Sequence, residues 1–584
     1  MDYANITSTS HEFFRVVIMM PSLLKLHLSS CNLGTLPPSL PFQNITSPLS
    51  VLDLSENPFN SSLPPWLFNL SNLTELNLHS TSLRESMKEK TSLRGPLPVL
   101  RRGNLCKLQN LDLSNYYLTG DITQMLETLS SCSNQSLERL DLSSNHLTGK
   151  LPHSLGQFDR LFDLHLSRNS LSGPIPASIG NLSNLSFLYL EGNMLNGKIP
   201  KSIGQLAQLN NLNLLQNNWE GTMTNIHFHN LTNLYIFSLS SKTISFAFKM
   251  TQDWIPPFKN LYHVEIRDCQ VGPTFPNWLR NLKFLRAFDL SNNLLSRAVP
   301  ANISEEMIDL MFLDLSNNNL IGSIPLSINR IQNLQYVDLS NNYMTGAIPV
   351  FWMSKQKLSI IDLSNNSFSG RIIEYMNRIA MHSTIDLSNN DLCGKIPDKL
   401  TELIHLGTLN LSWNKLTRNI PNNIGLLIDL ESLDLSHNFL SGSIPPSMAS
   451  ITFLSHLNLA YNNLSGQIPV ANQFGTFDPL IYVGNPQLCG NSMPTNCSLW
   501  LPGNGGEQGT KHEEDNDKTE KLGLYGSITL GYITGFWLVC GSLVLNRSWR
   551  HAYFKLVFDL RDKLLVLTGV NLACTTRWFG LERK

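Results

Sequence analysis

The stretch from Leu430 to Leu454, LESLDLSHNFLSGSIPPSMASITFL, recurs in altered form along most of the chain at intervals of about 24 residues. Within it, Leu433 and Leu435 alternate with polar residues, so we expect a short β-strand that buries its leucines and exposes its polar side chains. Each repeat is one strand plus a return segment. Because a single repeat cannot bury its own leucines, it needs neighbours on both sides.

The spacing LxxLxL followed by Asn438 is the leucine-rich repeat pattern. Asn438 falls where the chain leaves the strand, and its carboxamide can bond backbone groups that would otherwise be buried unpaired at about 1–3 kcal/mol each. The pattern predicts an α/β leucine-rich-repeat solenoid with parallel strands on the concave face. The extension LxGxIP, here Leu440–Pro445, resembles the plant extracellular type of these repeats. We expect the strands at Leu26, Leu52, Leu76, Leu111, Leu140, Leu164, Leu188, Leu212, Phe237, Val264, Phe288, Leu313, Val337, Ile361, Ile385, Leu409, Leu433 and Leu457.

The repeats are expected to form one long domain over residues 22–477, about 18 units, because a solenoid grows in one dimension. Residues 1–21 do not match a signal peptide, since the apolar run there is short and Arg15 interrupts it, and no cysteine-paired cap precedes Leu26. A chain that lacks its natural beginning is favoured over a natural leaderless form. Residues 478–521 are predicted to be a C-terminal cap followed by an acidic juxtamembrane linker.

Residues 522–545 carry no charged side chain, and a helix of this length spans ~36 Å against a hydrocarbon core of ~30 Å. We therefore predict a single transmembrane helix. The following residues 546–584 are short and basic, which favours a cytosolic C-terminus and extracellular repeats at the plasma membrane. Ser527, Gly531 and Gly535 form a face of small residues on which a partner helix could pack, although glycine is also common in such helices.

Composition and motifs argue against several function classes. The net charge of −1 and the scattered basic residues give no indication of nucleic-acid binding. Gly192–Ile199 resembles a phosphate-binding loop, but Ile199 replaces the hydroxyl residue that would hold magnesium. No catalytic motif and no metal-ligand spacing is complete, so the sequence predicts neither an enzyme nor a cofactor.

Cysteines and glycosylation sequons favour an oxidising compartment. Cys489 and Cys497 are predicted to close a short loop after the last repeat. For Cys106 and Cys132, a disulfide between adjacent units and two buried thiols are both open. Sequons for N-glycosylation lie at Asn5, Asn44, Asn60, Asn69, Asn72, Asn134, Asn181, Asn184, Asn230, Asn302, Asn365, Asn410, Asn463 and Asn496, although a repeat rich in Asn, Leu and Ser also produces them by composition.

Outward strand positions in several repeats depart from the usual LDLSNN sequence. Aromatic and charged side chains there suit a recognition surface, while ordinary variation of exposed positions is the alternative. The candidate ligand-binding residues are Phe162, Asp163, His165, Arg168, Phe187, Tyr189, Glu191, Tyr235, Tyr262, His263, Glu265 and Arg267. By contrast, Asp314, Asp338, Asp362, Asp386 and Asp434 recur at one strand position, which indicates an architectural row.

The LxGxIP repeats, the closing GNPQLCG at 484–490 with Cys497, the acidic linker, the single membrane helix and SWRHAYFKLVFDLRDKL together resemble plant leucine-rich-repeat receptor-like proteins, especially the group with receptors for fungal xylanase. The resemblance implies a kinase-less cell-surface receptor in defence or development that signals through a partner receptor kinase, with Ser527, Gly531 and Gly535 at the helix contact. The chain departs from the family in its missing signal peptide and cap. The even spacing of Ile361 and Ile385 also leaves no room for the usual non-repeat island.

Three hypotheses follow. The first is a type I receptor-like protein that recognises an extracellular protein, peptide or glycan and signals through a receptor-like kinase. The second is a membrane-anchored solenoid that inhibits secreted pathogen enzymes, and the third is a non-functional truncated receptor copy. The sequence does not name the ligand, the kinase, or the choice between defence and development.

Overall fold

The structure is a computed structural model that describes residues 10–18, 20–39, 47–80, 94–100, 105–243, 246–251, 253–303, 307–349, 357–372, 383–470, 474 and 476–490. The chain divides into two compact parts, Met1–Leu499 and Trp500–Lys584, and the described residues belong to the first. The predicted linker after residue 490, the transmembrane helix at 522–545 and the tail at 546–584 lie outside the described residues. None of the helices that the structure describes is long and apolar enough to cross a membrane.

The described part of the chain is a solenoid built on one long parallel sheet, here called the inner sheet. Each strand pairs in parallel with the strand of the next repeat, and the first inward residues stand opposite each other, as Leu409, Leu433 and Leu457 do. All of the predicted strands are present. They are Lys25–His27, Val51–Asp53, Glu75–Asn77, Asn110–Asp112, Arg139–Asp141, Asp163–His165, Phe187–Tyr189, Asn211–Trp219, Ile236–Ser241, His263–Arg267, Ala287–Asp289, Phe312–Asp314, Tyr336–Asp338, Ile360–Asp362, Ser383–Asp386, Leu406–Asn410, Ser432–Asp434 and His456–Asn458.

Shorter parallel strands follow the turn after the inner strand in many repeats. Two of them, Ser172–Gly173 and Met194–Gly197, join the inner sheet through the long strand Asn211–Trp219. The others pair among themselves, and in the described part of the chain they form sheets of eight, three and two strands. They are Arg94–Pro96, Tyr117–Asp121, His146–Thr148, Thr222–Met223, Ala247–Phe248, Ile321–Gly322, Tyr343–Ala347, Ser367–Arg371, Asp391–Gly394, Lys415–Arg418, Phe439–Gly442, Asn463–Gln467 and Gln487–Cys489.

The helical part of the repeat is mostly 3₁₀ rather than α. Ten residues lie between Pro445 and the next inner strand at His456, and a short 3₁₀ turn fits within that length. The 3₁₀ segments are Pro65–Asn69, His153–Gln157, Ala177–Asn181, Lys201–Gln205, Asn225–Phe228, Asn277–Asn281, Leu326–Arg330, Asp398–Glu402, Ile424–Leu426, Pro446–Ser450 and Pro479–Tyr482. The α-helices of the described residues are Ser10–Val17 and Ile122–Ser130, so the α part of the expected α/β fold is small.

One continuous hydrophobic core runs from Phe14 to Leu488. At its first end, Phe14 of the helix Ser10–Val17 is fully buried, and its ring centre lies 6.4 Å from that of Trp66. This helix covers the core beside the first repeats. A helix or a covering role for residues 1–21 was not predicted from the sequence. At the other end, Tyr482 is buried and residues 478–490 continue the backbone ladder of the repeats.

In most of the described repeats an asparagine connects neighbouring units by pairing buried backbone groups, as predicted. Asn438 Nδ2 donates to the carbonyl oxygens of Leu411 at 3.0 Å and Leu435 at 3.2 Å, and its Oδ1 accepts from the N–H of Leu416 at 3.0 Å. Buried backbone groups of two repeats are thereby paired. Equivalent bonds are made by Asn57, Asn145, Asn169, Asn193, Asn217, Asn293, Asn318, Asn342, Asn366, Asn390, Asn414, Asn462 and Asn485.

The cysteines fall into two groups. Cys106 and Cys132 are joined in a disulfide with a Cα–Cα distance of 5.4 Å. Cys489 also takes part in a disulfide, while its expected partner Cys497 lies outside the described residues. Cys31 and Cys269 are buried at the asparagine position of their repeats.

Candidate ligand-binding surface

The outward side chains of the inner sheet form a continuous surface, which we call the strand face. Each strand buries alternate residues, so the residues that flank a buried leucine point away from the core. Leu164, for example, is fully buried between Asp163 and His165. The strand face therefore displays several rows of side chains, with one member of each row per repeat.

The first cluster of predicted residues lies around His165. Its Nε2 is 2.7 Å from Asp163 Oδ1, and Arg139 Nε is 3.4 Å from Asp163 Oδ2. The His165 ring packs on Tyr189 with centres 4.2 Å apart, and Asn211 Nδ2 donates to the Tyr189 hydroxyl at 2.7 Å. Charge pairs and ring contacts thus link successive strands across this part of the strand face.

Four further predicted residues border this cluster. The rings of Phe162 and Phe187 meet edge to face with centres 6.5 Å apart, and Phe162 is 39% exposed. Arg168 is exposed and has a φ of 54°. Glu191 Oε2 is buried and accepts no hydrogen bond from the residues that the structure describes.

The second cluster begins with two stacked tyrosines. The rings of Tyr235 and Tyr262 lie 4.8 Å apart and nearly parallel, at 22°. Arg286 lies two residues before Phe288, the first inward residue of the next strand. Its guanidinium carbon is 5.4 Å from the centre of the Tyr262 ring. This geometry allows a cation–π contact.

The second cluster ends in an ion network. Arg267 Nε lies 3.0 Å from Glu265 Oε1 and 2.6 Å from Asp289 Oδ2, and His263 Nε2 lies 3.3 Å from Glu265 Oε2. Burial opposes ionisation of Glu265, but the hydrogen bond with His263 and the charge of Arg267 outweigh it and lower the pKa of Glu265. Glu265 is therefore a carboxylate at neutral pH.

Beyond Arg267 the strand face changes to a row of identical acids. Asp289, Asp314, Asp338, Asp362 and Asp386 stand opposite one another in register. Burial, together with the charges of Asp289 and Asp338, raises the pKa of Asp314 to about 7, and burial with Asp338 raises the pKa of Asp362 to about 6. Each carboxylate also accepts the N–H of the serine two residues later, as Asp314 does from Ser316 at 2.9 Å. These bonds fit the predicted architectural role.

The twelve predicted residues thus form two clusters, separated by the strand Asn211–Trp219. The prediction missed Arg139 and Asp289, which complete the charge pairs, and Arg286, which lies over the Tyr262 ring. Arg139 and Arg286 could have been found as charged residues one and two positions before an inward residue. Asp289 could not, because it matches the repeated aspartate of LDLSNN.

The other predicted sites are only partly described. The partner-helix residues Ser527, Gly531 and Gly535 and the sequons at Asn5, Asn44 and Asn496 lie outside the described residues. Exposed sequon asparagines are Asn60, Asn69, Asn134, Asn181, Asn184, Asn230, Asn365 and Asn463, and partly buried ones are Asn72, Asn302 and Asn410. Across the described part of the chain, no group of three or more His, Cys, Asp or Glu side chains could hold a metal ion.

Comparisons with known proteins agree with this architecture. A family profile described as a leucine-rich repeat region matches residues 99–285. A second profile, the leucine-rich repeat, matches residues 22–43, 48–70, 309–331, 333–354, 405–427, 429–451 and 453–473. Among solved structures, the plant peptide hormone receptor RGFR1 in complex with RGF2 is 28% identical, with a TM-score of 0.59 over 77% of this chain and 76% of that one. The PEPR1–AtPEP1 complex is 27% identical, with a TM-score of 0.61 over 83% of this chain and 68% of that one.

Two curated relatives are similar over a short segment. Receptor-like protein EIX2 of Solanum lycopersicum is 34% identical over 105 residues, which is 18% of this chain and 10% of that protein. Receptor like protein 21 of Arabidopsis thaliana is 38% identical over 104 residues, again 18% of this chain and 10% of that protein. The aligned segment therefore spans about a tenth of these relatives.

Proposed function

The chain belongs to the plant leucine-rich-repeat receptor-like proteins, and from that membership we propose that it is a cell-surface receptor whose strand face binds an extracellular ligand. The bound state is passed to a partner receptor kinase. The proposed role is binding and coupling, and no catalytic step is assigned to the repeats.

One observation supports the proposal: many outward residues of the strand face differ from the usual LDLSNN sequence of the repeats. Between Arg139 and Arg286, aromatic and charged side chains replace the usual aspartates and serines in repeat after repeat. Tyrosine and arginine are the residues most enriched where proteins bind partners. The two stacked tyrosines at 4.8 Å form a flat, partly exposed surface next to the cation of Arg286.

The ligand class follows from the shape of this surface and from the relatives. Neighbouring parallel strands lie ~4.8 Å apart, so the predicted residues extend over several repeats, a length that suits an extended peptide or a protein surface. Two structural relatives were solved with such ligands, RGFR1 with RGF2 and PEPR1 with AtPEP1. Defence against a secreted fungal protein is the role that we favour, by resemblance to the receptors for fungal xylanase.

Signal transfer is assigned to the predicted membrane helix at 522–545. Its small residues Ser527, Gly531 and Gly535 would allow the backbone of a partner helix to approach closely. This assignment places the repeats outside the plasma membrane and the short basic tail in the cytosol.

The test is a gain of response in leaves that express the full chain. Leaves with and without the chain are treated with fungal xylanase or with the secreted proteins of a fungal culture, and the oxidative burst is measured. A receptor gives a burst that depends on the chain. Replacing both Tyr235 and Tyr262 with alanine should raise the half-maximal dose about tenfold or more, as loss of a central aromatic contact does.

Two controls sharpen this test. Tyr343→Ala removes a tyrosine that is 64% exposed but lies outside both clusters. This variant should leave the half-maximal dose of the fungal protein unchanged. Gly531→Leu should abolish the burst while leaving ligand binding intact. Protection of the leaf without any burst, and insensitive to Gly531→Leu, would instead favour an anchored inhibitor of the fungal enzyme.

A further inference from the structure

A shallow depression of about 450 Å³ lies at the edge of the strand face, where the chain enters the inner sheet. It is lined by Glu138, Arg160, Phe162, Asn184, Ser186 and Gln208. These residues come two or four positions before the first inward leucine of successive repeats. Its volume is within the range of roughly 300–1,000 Å³ that is usual for small-ligand sites.

The lining offers side chains rather than backbone to an occupant. The N–H groups of Phe162 and Ser186 already donate to carbonyl oxygens of the preceding repeat, at 2.9 and 2.8 Å. What remains is one aromatic ring, a carboxylate, a guanidinium, two amides and a hydroxyl. A sugar ring has a C–H face that can pack on an aromatic ring and a rim of hydroxyls that donate and accept, so this donor and acceptor set suits a saccharide.

Asn184, which lines the depression, is also the acceptor residue of an N-L-S sequon. One hydrogen of its amide nitrogen is used, because Nδ2 donates to the Asp159 carbonyl oxygen at 2.7 Å. The amide carries a second hydrogen, which is the one that a glycosidic bond would replace. A sugar attached there begins inside the depression.

We propose that the depression seats the first sugar rings of an N-linked glycan on Asn184, packed against Phe162. The inference rests on the proposed extracellular position of the repeats. It also redefines the ligand surface, because the seated glycan covers Phe162 and marks that edge of the strand face as closed to the ligand. The stacked pair Tyr235 and Tyr262 then becomes the principal aromatic contact.

The chain contains a matched control three residues away. Asn181 belongs to its own N-L-S sequon, is exposed, and ends the 3₁₀ segment Ala177–Asn181 without lining the depression. Ser183→Ala removes only the Asn181 sequon, and Asn184→Gln removes only the other. Each variant therefore yields one glycan of the pair, which mass spectrometry can assign without ambiguity.

The experiment expresses each full-length variant in plant cells and follows release of its glycan by a peptide N-glycosidase in native membranes. The glycan on Asn184 should be released about fivefold more slowly than that on Asn181, the protection that one aromatic contact of about 1 kcal/mol gives. Adding Phe162→Ala should bring the two rates together, and so should denaturing the protein first. Gln208→Ala is a second variant of the lining, in case Phe162→Ala disturbs the strand.

The outcomes distinguish failure of the proposed glycan seat, the depression beside Asn184, from failure of the proposed extracellular function. Equal release rates in the native protein overturn the seat. A bare Asn184 beside an occupied Asn181 overturns it as well, and would leave the depression to a free saccharide. Bare asparagines at both positions, and at all other sequons, overturn the extracellular placement and the seat with it.

Discussion

Two parts of the strand face share the same backbone but differ in their outward side chains. We call them the varied half, from Arg139 to Arg267, and the uniform half, from Asp289 to Asp386. From Arg139 to Arg267 the outward side chains differ from one repeat to the next, and complementary pairs such as His165 with Tyr189 connect adjacent repeats. From Asp289 to Asp386 each repeat shows its neighbour the same carboxylate. Since the inward residues are alike in both halves, the fold does not require the variation. The uniform half instead places like charges side by side.

The largest expected effect concerns the asparagine hydrogen bonds, which both halves share, and it measures how much these bonds stabilise the repeats. Asn342 donates to the carbonyls of Leu315, Leu339 and Ser340 and accepts from Leu320 N–H, all between 2.9 and 3.1 Å. Asn342→Ala leaves these buried groups unpaired and should destabilise its repeats by about 3 kcal/mol. Hydrogen exchange of the amides in those repeats measures the loss.

A matched control for Asn342→Ala lies at the same repeat position in the varied half. Cys269 occupies the asparagine position there, and its Sγ donates to the Arg267 carbonyl at 3.0 Å. A thiol is a weak donor and cannot replace the two amide hydrogens and the carbonyl oxygen of asparagine. Cys269→Ala should therefore cost about 1 kcal/mol or less. An equal loss in both variants would contradict the view that the asparagine ladder pairs the backbone.

The second prediction concerns the junction between the halves, where Arg267 faces Asp289. The Asp289 side chain is only 2% exposed, and Arg267 Nε lies 2.6 Å from it. Arg267→Gln leaves a buried carboxylate without its cation and should lower stability by about 2 kcal/mol at pH 7.5. Because Asp289 can then take up a proton, most of the loss should disappear at pH 5. Thermal unfolding followed by tryptophan fluorescence at both pH values measures this.

An exposed ion pair gives the control for that junction. Lys415 Nζ lies 2.6 Å from Asp391 Oδ1, but the two side chains are 61% and 47% exposed. Lys415→Gln should change stability by less than about 0.5 kcal/mol at either pH, as exposed pairs do. If Arg267→Gln were equally mild, the two halves would not be coupled through Asp289.

The repeat period explains which of these features could be predicted from sequence. Inward leucines at a spacing of about 24 residues determined all the strands and the buried asparagines, because a one-residue shift would expose the core. Outward pairs such as His165 with Tyr189 are not constrained by burial, so only their unusual residue types were detectable. The helix Ser10–Val17 was missed because its single apolar face has no repeat to match. The depression was missed because residues from several repeats form it together, and Phe162 and Asn184 were noted separately, without their shared position.

The third prediction tests the uniform half directly through pH. Asp314 has a pKa of about 7 in the folded chain, above its ordinary value of 3.8, so the folded state binds more protons than the unfolded state between these values. Stability should therefore rise as pH falls from about 7 to about 4. Asp314→Asn should raise stability at pH 7.5, on the order of 1–2 kcal/mol, and flatten this dependence. Melting temperatures from pH 4.5 to 8 measure both effects.

The same residue type in a neutral setting provides the comparison for Asp314. Asp434 stands in register between Asn410 and Asn458, and Asn458 Nδ2 donates to it at 3.2 Å. No aspartate adjoins it in that row, so Asp434→Asn should bring no gain at pH 7.5. A gain of the same size at both positions would show that repulsion along the row is not the cause.

The smallest expected effect lies where the uniform half ends. Trp413, His437 and Tyr461 take the left-handed position that Asn341, Asn365 and Asn389 hold in earlier repeats, with φ between 52° and 55° for the three aromatic residues. Their rings stack at 3.7 and 4.4 Å, and Trp413 remains 57% exposed.

Trp413→Asn exchanges one stacked contact, about 0.5–1.5 kcal/mol, for relief of a backbone strain of about 1–2 kcal/mol, so its net effect should stay within about 0.5 kcal/mol. His437→Asn breaks both stacks for the same relief and should cost about 1 kcal/mol. Thermal unfolding of both variants at one pH gives the order. If Trp413→Asn were the more harmful of the two, Trp413 would stabilise the last repeats through contacts other than the stack. If the predicted order holds, stability does not account for a tryptophan at that position. The aromatic variation at this end of the solenoid would then resemble that of the first half, as a surface kept for contact with another molecule.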